Sequence, residues 1–412
     1  MHLARPARLF FAALAAVFIG SLRADPAELG RRTAPELRPV LDPGTGRTLL
    51  ALTTAPANDQ KLYQTHPQWA ADGVHVIFRS ADRNPARTAQ AYAVNTITGD
   101  ITQLTAGEGV GTYSLNLARL SNRLYYLRKG ADGLERLVEL ELTPLLADSA
   151  AGEMKVPEAY ERVLATLRAE HRGAGGFALD ADERTAFFGV RLADAPPREP
   201  GKPIPEVPSG IRAVDLATGA YRTVINTPFL MGHVQTNPWV PGEIIYCNET
   251  GGDAPQRMWL VRADGSGNRP LFPEEAADWV THEVVADRDT VLFNLMGHTP
   301  ELRRRPTGVM ALNLRTGEVQ PLGQTPRGQG FWHCHGTPDG RWAVADNFDG
   351  EIHLINRRTG ELTLVSTGHV MKPDHTHPNF SPDGRRILVQ SGMLTDGKSL
   401  DLLLIPVPET AE

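Results

Sequence analysis

The chain has 412 residues, 41% of them hydrophobic and 22% charged, with a formal net charge of −6. That balance supplies a large core and excludes both a disordered chain and a basic nucleic-acid binder, so no nucleic-acid partner is expected. With 39 glycines and 32 prolines the chain has little room for long helices, and the fold class it favours is all-β, short strands joined by turns.

In chain order, the first feature is an apolar run from Leu9 to Leu22, preceded by Arg5 and Arg8 and followed by Leu22-Arg23-Ala24. Its 14 residues are too few to span a bilayer comfortably, and the pattern reads as a secretory signal peptide over residues 1–24. Its removal takes away Arg5, Arg8 and Arg23 and no acid, which moves the net charge from −6 to −9 for residues 25–412. The expected product is acidic, periplasmic or secreted, with no stable membrane insertion after cleavage.

The rest of the chain is a repeat. A turn followed by a β-type run recurs at Ala71-Asp72-Gly73, Pro338-Asp339-Gly340 and Pro382-Asp383-Gly384. Weaker copies at Ser121-Asn122, Asp182-Glu183, Pro241-Gly242 and Asp287-Arg288 bring the total to seven. A hairpin follows later in several units, with Thr98-Gly99, Thr218-Gly219, Thr316-Gly317 and Thr359-Gly360 at its tip and Asp264-Gly265 taking that part after Pro241-Gly242. Four strands per unit and seven units predict a single seven-bladed β-propeller over residues 25–412. The extended stretch Arg47–Thr54 is placed to close the ring onto the last blade. Two insertions interrupt the period: Pro157–His171, with Tyr160, Val163, Leu164 and Leu167 on one face, reads as a short surface helix, and proline-rich Ala195–Pro208 as an irregular loop.

Histidines carry the functional signal. His66, His282, His333, His335, His375 and His377 fall at the start of repeat units, positions that a propeller brings to one end of its channel. Asp374-His375-Thr376-His377-Pro378 is the strongest group, because two imidazoles on an extended segment face one way and neutral imidazole suits manganese, iron, nickel or zinc. His282, in Val-Thr-His-Glu, is the natural third nitrogen ligand. His333-Cys334-His335 has a comparable spacing but no adjacent acid, which leaves metal ligation, substrate contact and a structural role all open. His233 has the chemistry of a general base near the channel mouth, and Arg257, Arg79 and Arg83 that of carboxylate binders. Cys247 and Cys334 are either one disulfide or two buried thiols. Neither a Gly-x-Ser-x-Gly elbow nor a phosphate-binding loop occurs, which disfavours a propeller peptidase.

The ordered set Gly-His233-Val, Cys247-Asn-Glu, Arg257-Met-Trp-Leu-Val, Val-Thr-His282-Glu, Phe-Trp-His333 and His377-Pro-Asn-Phe-Ser-Pro-Asp-Gly resembles the oligogalacturonate lyases, from about Tyr63 to the end of the chain. That resemblance implies a seven-bladed propeller that uses manganese held by His282, His375 and His377, with Lys372 where the family has a ligating glutamine. Asp374 or water is then left for the fourth place. It also implies β-elimination on oligogalacturonate or another uronate oligosaccharide, with His233 as base and Arg257 on substrate carboxylates. Fragments such as Phe-Ser-Pro-Asp-Gly are shared with TolB-type propellers, so the alternative is a non-catalytic periplasmic propeller that binds a protein or carbohydrate partner.

Overall fold

The structure, a computed structural model, describes residues 28–111, 114–168, 172–194, 206–325 and 330–408. The expected signal peptide and most of the proline-rich insertion lie outside these residues. Turn chemistry sets the strand pairing. In four hairpins the carboxamide or carboxylate of Asn95, Asp215, Asn313 or Asn356 accepts from the backbone N–H groups two and three residues on. The glycine that follows each, Gly99, Gly219, Gly317 or Gly360, takes a φ of 71 to 80°, as such turns require.

These turns join seven antiparallel sheets of four or five strands, and the first strands of successive sheets touch, so the sheets are the blades of a seven-bladed β-propeller. Apolar faces of neighbouring blades supply the core. Phe187, Ile211 and Ala213 of the third blade, for example, meet Val234, Ile244 and Tyr246 of the fourth. The ring closes as expected: Thr48–Ala51 pairs Leu50 with Leu404 and Ala51 with Leu403, and Arg38–Leu41 adds a further outer strand to the last blade.

A polar network fastens that closure. Arg83 donates to Asp59 at 2.6 and 2.7 Å and to Glu36 at 2.9 Å, tying the N-terminal segment to the first blade. Arg83 is therefore spent on structure rather than on a ligand. Asp401, on the last blade's strand Asp401–Pro406, lies behind this group with both carboxylate oxygens buried and without hydrogen-bond partners among the described residues. Burial, reinforced by Asp59 and Glu36, pushes its pKa up to about 7. Folded protein thus holds a proton that the unfolded chain releases at about pH 4, so stability falls as pH rises between about 4 and 7, by up to about 1.4 kcal/mol per unit. Asp401→Asn is expected to flatten that slope, leaving urea midpoints unchanged near pH 4.5 and raising them at pH 8; parallel pH profiles would refute it.

One predicted element differs. Pro157–His171 does not form a helix over the described residues: Pro157–Ala159 is a single 3-10 turn, and Glu161–Thr166 is the outer strand of the second blade, paired with Arg136–Leu140. The supposed apolar helical face is split, with Tyr160 buried and Val163 49% exposed. Ladder hydrogen bonds and ion pairs such as Arg162 to Glu139 at 2.8 Å outweigh a weak helical period. The helix of this region lies earlier, at Leu142–Ala151, with Leu142 and Leu145 buried and Gly152 at φ 72° ending it.

Candidate active site

In the first strands of four successive blades the ladder loses register at the same place: between Gly173 and Phe177, Gly232 and Gln235, Thr281 and Val284, and Phe331 and Cys334. A bulge frees residues from the alternating pattern and re-aims their side chains. His233 and His282 lie inside two of these bulges with φ of 47° and 53°, and His377, just before the last blade's first strand Asn379–Phe380, has φ of 47°. Left-handed backbone costs a histidine about 1–2 kcal/mol, and strain of that kind gathers where a side chain has to be aimed.

The imidazoles so aimed form a cluster centred on His333, whose ring centre lies 4.2 Å from that of His282, 4.0 Å from His377 and 5.5 Å from His375. His375 stands 6.4 Å from His377 and packs on Trp332. Outer nitrogens are tied down. His282 Nδ1 faces the Trp332 carbonyl at 2.7 Å, His333 Nδ1 faces Asp346 at 3.0 Å, and His377 Nε2 approaches Asp374 at 3.4 Å. Burial, with the neighbouring imidazoles adding to it, holds His282 and His333 far below the usual histidine range; burial also lowers His377, against the opposing pull of Asp374. Nδ1 of both His375 and His377 is buried without a partner.

His282 and His377, each with one ring nitrogen on an acceptor and the other unspent, together with His375, whose Nδ1 has no partner, are donors that a divalent transition metal takes, so the set fits manganese in kind. Lys372, at the position expected of a ligating glutamine, is exposed. Asp374 is engaged elsewhere: besides approaching His377, it accepts from Gln390 at 3.0 Å. Among the described residues, the group whose ligand atoms all lie within 4.8 Å of one another is a different one, His233, Cys247 and Glu283. That second group already holds a cation. Arg257, 3% exposed, donates Nε to fully buried Glu283 at 2.9 Å, and its Nη2 lies 3.5 Å from His233 Nδ1 and 3.8 Å from Glu249. Burial disfavours the guanidinium, but Glu283 and Glu249 hold it charged; Glu283, despite its own burial, is kept ionised by Arg257 and His233. Burial pushes the Cys247 thiol well up, so it remains a thiol, and the site reads as an ion network rather than a metal cage.

Two carboxylates bracket the candidate base: Glu283 lies 3.4 Å from His233 Nδ1 and Glu249 3.7 Å from Nε2. Tyr63 stands between the two groups of histidines, edge-on to His233 at 5.0 Å and to His377 at 5.2 Å. Beside His233 opens a cavity of about 350 Å³ whose wall includes Tyr63, Arg79, Arg191 and Glu249.

His66 and His335 serve other ends. His66 bonds the Phe177 carbonyl at 2.9 Å, the backbone N–H of Phe380 donates to His335 at 3.4 Å, and burial holds both rings neutral. Cys247 and Cys334 are two free, buried thiols. The sequence reading did not single out Glu283, Glu249, Asp346 or Tyr63; the two glutamates stand directly inside the Thr-His-Glu and Cys-Asn-Glu motifs, which was the available signal.

Comparison with known proteins points the same way. The chain is 21% identical to an oligogalacturonide lyase of Pectobacterium atrosepticum, over 90% of this chain and 95% of that protein. It is 23% identical to an oligogalacturonate lyase of Dickeya dadantii, over 92% and 98%. The chain resembles the oligogalacturonate lyases along nearly its whole length. A solved structure of an oligogalacturonate lyase in complex with manganese superposes with a TM-score of 0.75 at 22% identity, covering 92% of this chain and 98% of that one, which bears out the seven-bladed fold. No family model matches the chain.

Proposed function

We propose that the protein is a metal-dependent lyase that cleaves oligogalacturonate, or a related uronate oligosaccharide, by β-elimination. The observation that carries this reading is one of placement: an Arg257–Glu283 ion pair with His233, and a cluster of imidazoles, lie on either side of Tyr63, in a chain similar along nearly its whole length to oligogalacturonate lyases. The apolar run from Leu9 to Leu22, read as part of a signal peptide over residues 1–24, supports action in the periplasm or outside the cell.

His282, His375 and His377 are the proposed manganese ligands, and His333 stands close enough to two of them to share or replace that role. Bound there, the cation would supply a Lewis acid at the uronate carboxylate, which acidifies the neighbouring C5 proton. Glu283, 3.4 Å from Nδ1, and Glu249, 3.7 Å from Nε2, place a carboxylate on each side of the ring, charges that offset the positive charge His233 gains when it takes a proton. His233 takes the C5 proton, the C4–oxygen bond breaks, and the products are an unsaturated uronate and a shortened oligomer. Arg257, buried and bonded to Glu283, holds that network in register and keeps positive charge beside the base.

Incubation with digalacturonate and trigalacturonate plus manganese, followed by ultraviolet absorbance of the conjugated product, tests the reading. Stoichiometric manganese in the purified protein is expected to be lost in His377→Ala. Folded, metal-loaded protein that turns over no uronate oligomer would instead favour a binding propeller.

A further inference from the structure

Elimination at one uronate ring leaves the carboxylate of the neighbouring ring to be accommodated. Arg257 is not available for it, since its charge is already balanced by Glu283. The cavity beside His233 is the adjoining space, and its construction is specific. Gly173, Gly175 and Gly176 line it, the last two at φ of 68° and 76°, and a Cβ on Gly175 would fall 2.9 Å from the Gly232 Cα. A side chain at Gly175 would displace the bulge that aims His233. The glycine run is what keeps the wall thin.

Arg191, the last residue of the strand Thr185–Arg191, faces the same cavity. Its side chain, half-buried, has no hydrogen bond or ion pair with any described residue, and its Nε–H is buried without an acceptor. The cavity's other two cations are placed differently: Arg79 donates to Gln60, and Lys61 Nζ donates to Asn379 at 2.6 Å and to the Leu62 carbonyl at 2.9 Å. A buried guanidinium N–H without an acceptor is costly, and the planar fork of arginine matches a carboxylate with two parallel hydrogen bonds.

We propose that Arg191 binds the carboxylate of the uronate ring next to the one that reacts, so that the glycine-walled cavity selects substrates carrying a free acid at that second position. This rests on the lyase reading above and adds a specificity-determining residue to it. The substrate class follows: de-esterified oligouronates of two or more rings, with methyl-esterified or neutral neighbours disfavoured.

The test compares kcat/KM for digalacturonate with that for digalacturonate methyl-esterified on the ring that does not undergo elimination. Wild type is expected to prefer the acid by about 10- to 100-fold, the range of a charge-assisted hydrogen bond. Arg191→Ala should bring the acid down to the level of the ester, chiefly through KM, and Arg191→Lys should restore part of the preference. A preference that survives Arg191→Ala, or an equal loss on both substrates, overturns the proposal. Calorimetric binding of the same two ligands, with melting midpoints as a fold check, reads the difference without turnover. Wild type that binds the acid selectively through Arg191 but forms no product would refute the lyase reading alone; acid and ester bound equally by wild type would refute the subsite.

Discussion

His233→Ala is expected to lower kcat on digalacturonate by about 10²- to 10⁴-fold, the usual contribution of a positioned general base, while manganese content stays at the wild-type level. His233 stands apart from the proposed ligands, its nearest being His282 at 6.1 Å between ring centres, so removing it leaves the imidazole cluster and its anchors intact. The backbone complicates a plain alanine variant, because position 233 has φ of 47° and a Cβ without a compensating local hydrogen bond is strained there. His233→Asn is the better companion: asparagine tolerates left-handed backbone, keeps polar bulk beside Glu283 and Arg257, and cannot take the C5 proton at neutral pH. Both variants should lose turnover and keep metal. Turnover within tenfold of wild type in either would remove His233 from the base role, and loss of metal in both would show that it supports the ligands instead.

The architecture was legible because turns have chemistry that strands lack. An Asn or Asp four residues ahead of a glycine fixes a hairpin, and its recurrence at Asn95, Asp215, Asn313 and Asn356 marks the blades before any packing is considered. Glu161–Thr166 was misread for the converse reason: an outer strand draws its identity from a neighbour, here Arg136–Leu140, and not from its own pattern. Much of the candidate site was hidden by the bulges. The expectation that both imidazoles of a His-x-His pair face one way presumes extended backbone, and His377 at φ of 47° violates it; the His375 and His377 rings lie 6.4 Å apart at 75° to one another. The bulge between Phe331 and Cys334 likewise turns His333 to the centre of the cluster, whereas His335, two residues on, meets the Phe380 backbone. Sequence spacing placed histidines at equivalent positions of successive blades; which of them meet is decided by register shifts that only the folded ladder contains.

Loss of the Glu283 carboxylate is expected to be the most damaging single change to stability. Glu283 is fully buried, and its partner Arg257 is 3% exposed, so Glu283→Ala strands a guanidinium in the interior with only half-exposed Glu249 in reach, at 3.8 Å. Breaking one side of a buried ion pair costs about 3–5 kcal/mol, mostly through the charge left behind rather than through the attraction lost. Glu283→Gln separates these contributions, since it keeps the shape and one acceptor while removing the charge, and it should cost distinctly less than Glu283→Ala. Arg257→Met combined with Glu283→Gln should recover stability relative to either Glu283 variant alone, because no uncompensated charge remains. Urea unfolding of wild type, Glu283→Gln, Arg257→Met and the double variant closes the double-mutant cycle, and a Glu283→Ala cost below about 1 kcal/mol, or a double variant no better than Glu283→Gln, would show that the pair is not a buried charge network at all. Turnover should vanish in every variant, including the stabilised double variant, since without the pair nothing fixes the orientation of His233. Recovery of stability without recovery of activity is thus the signature that separates a positioning network from a merely structural one.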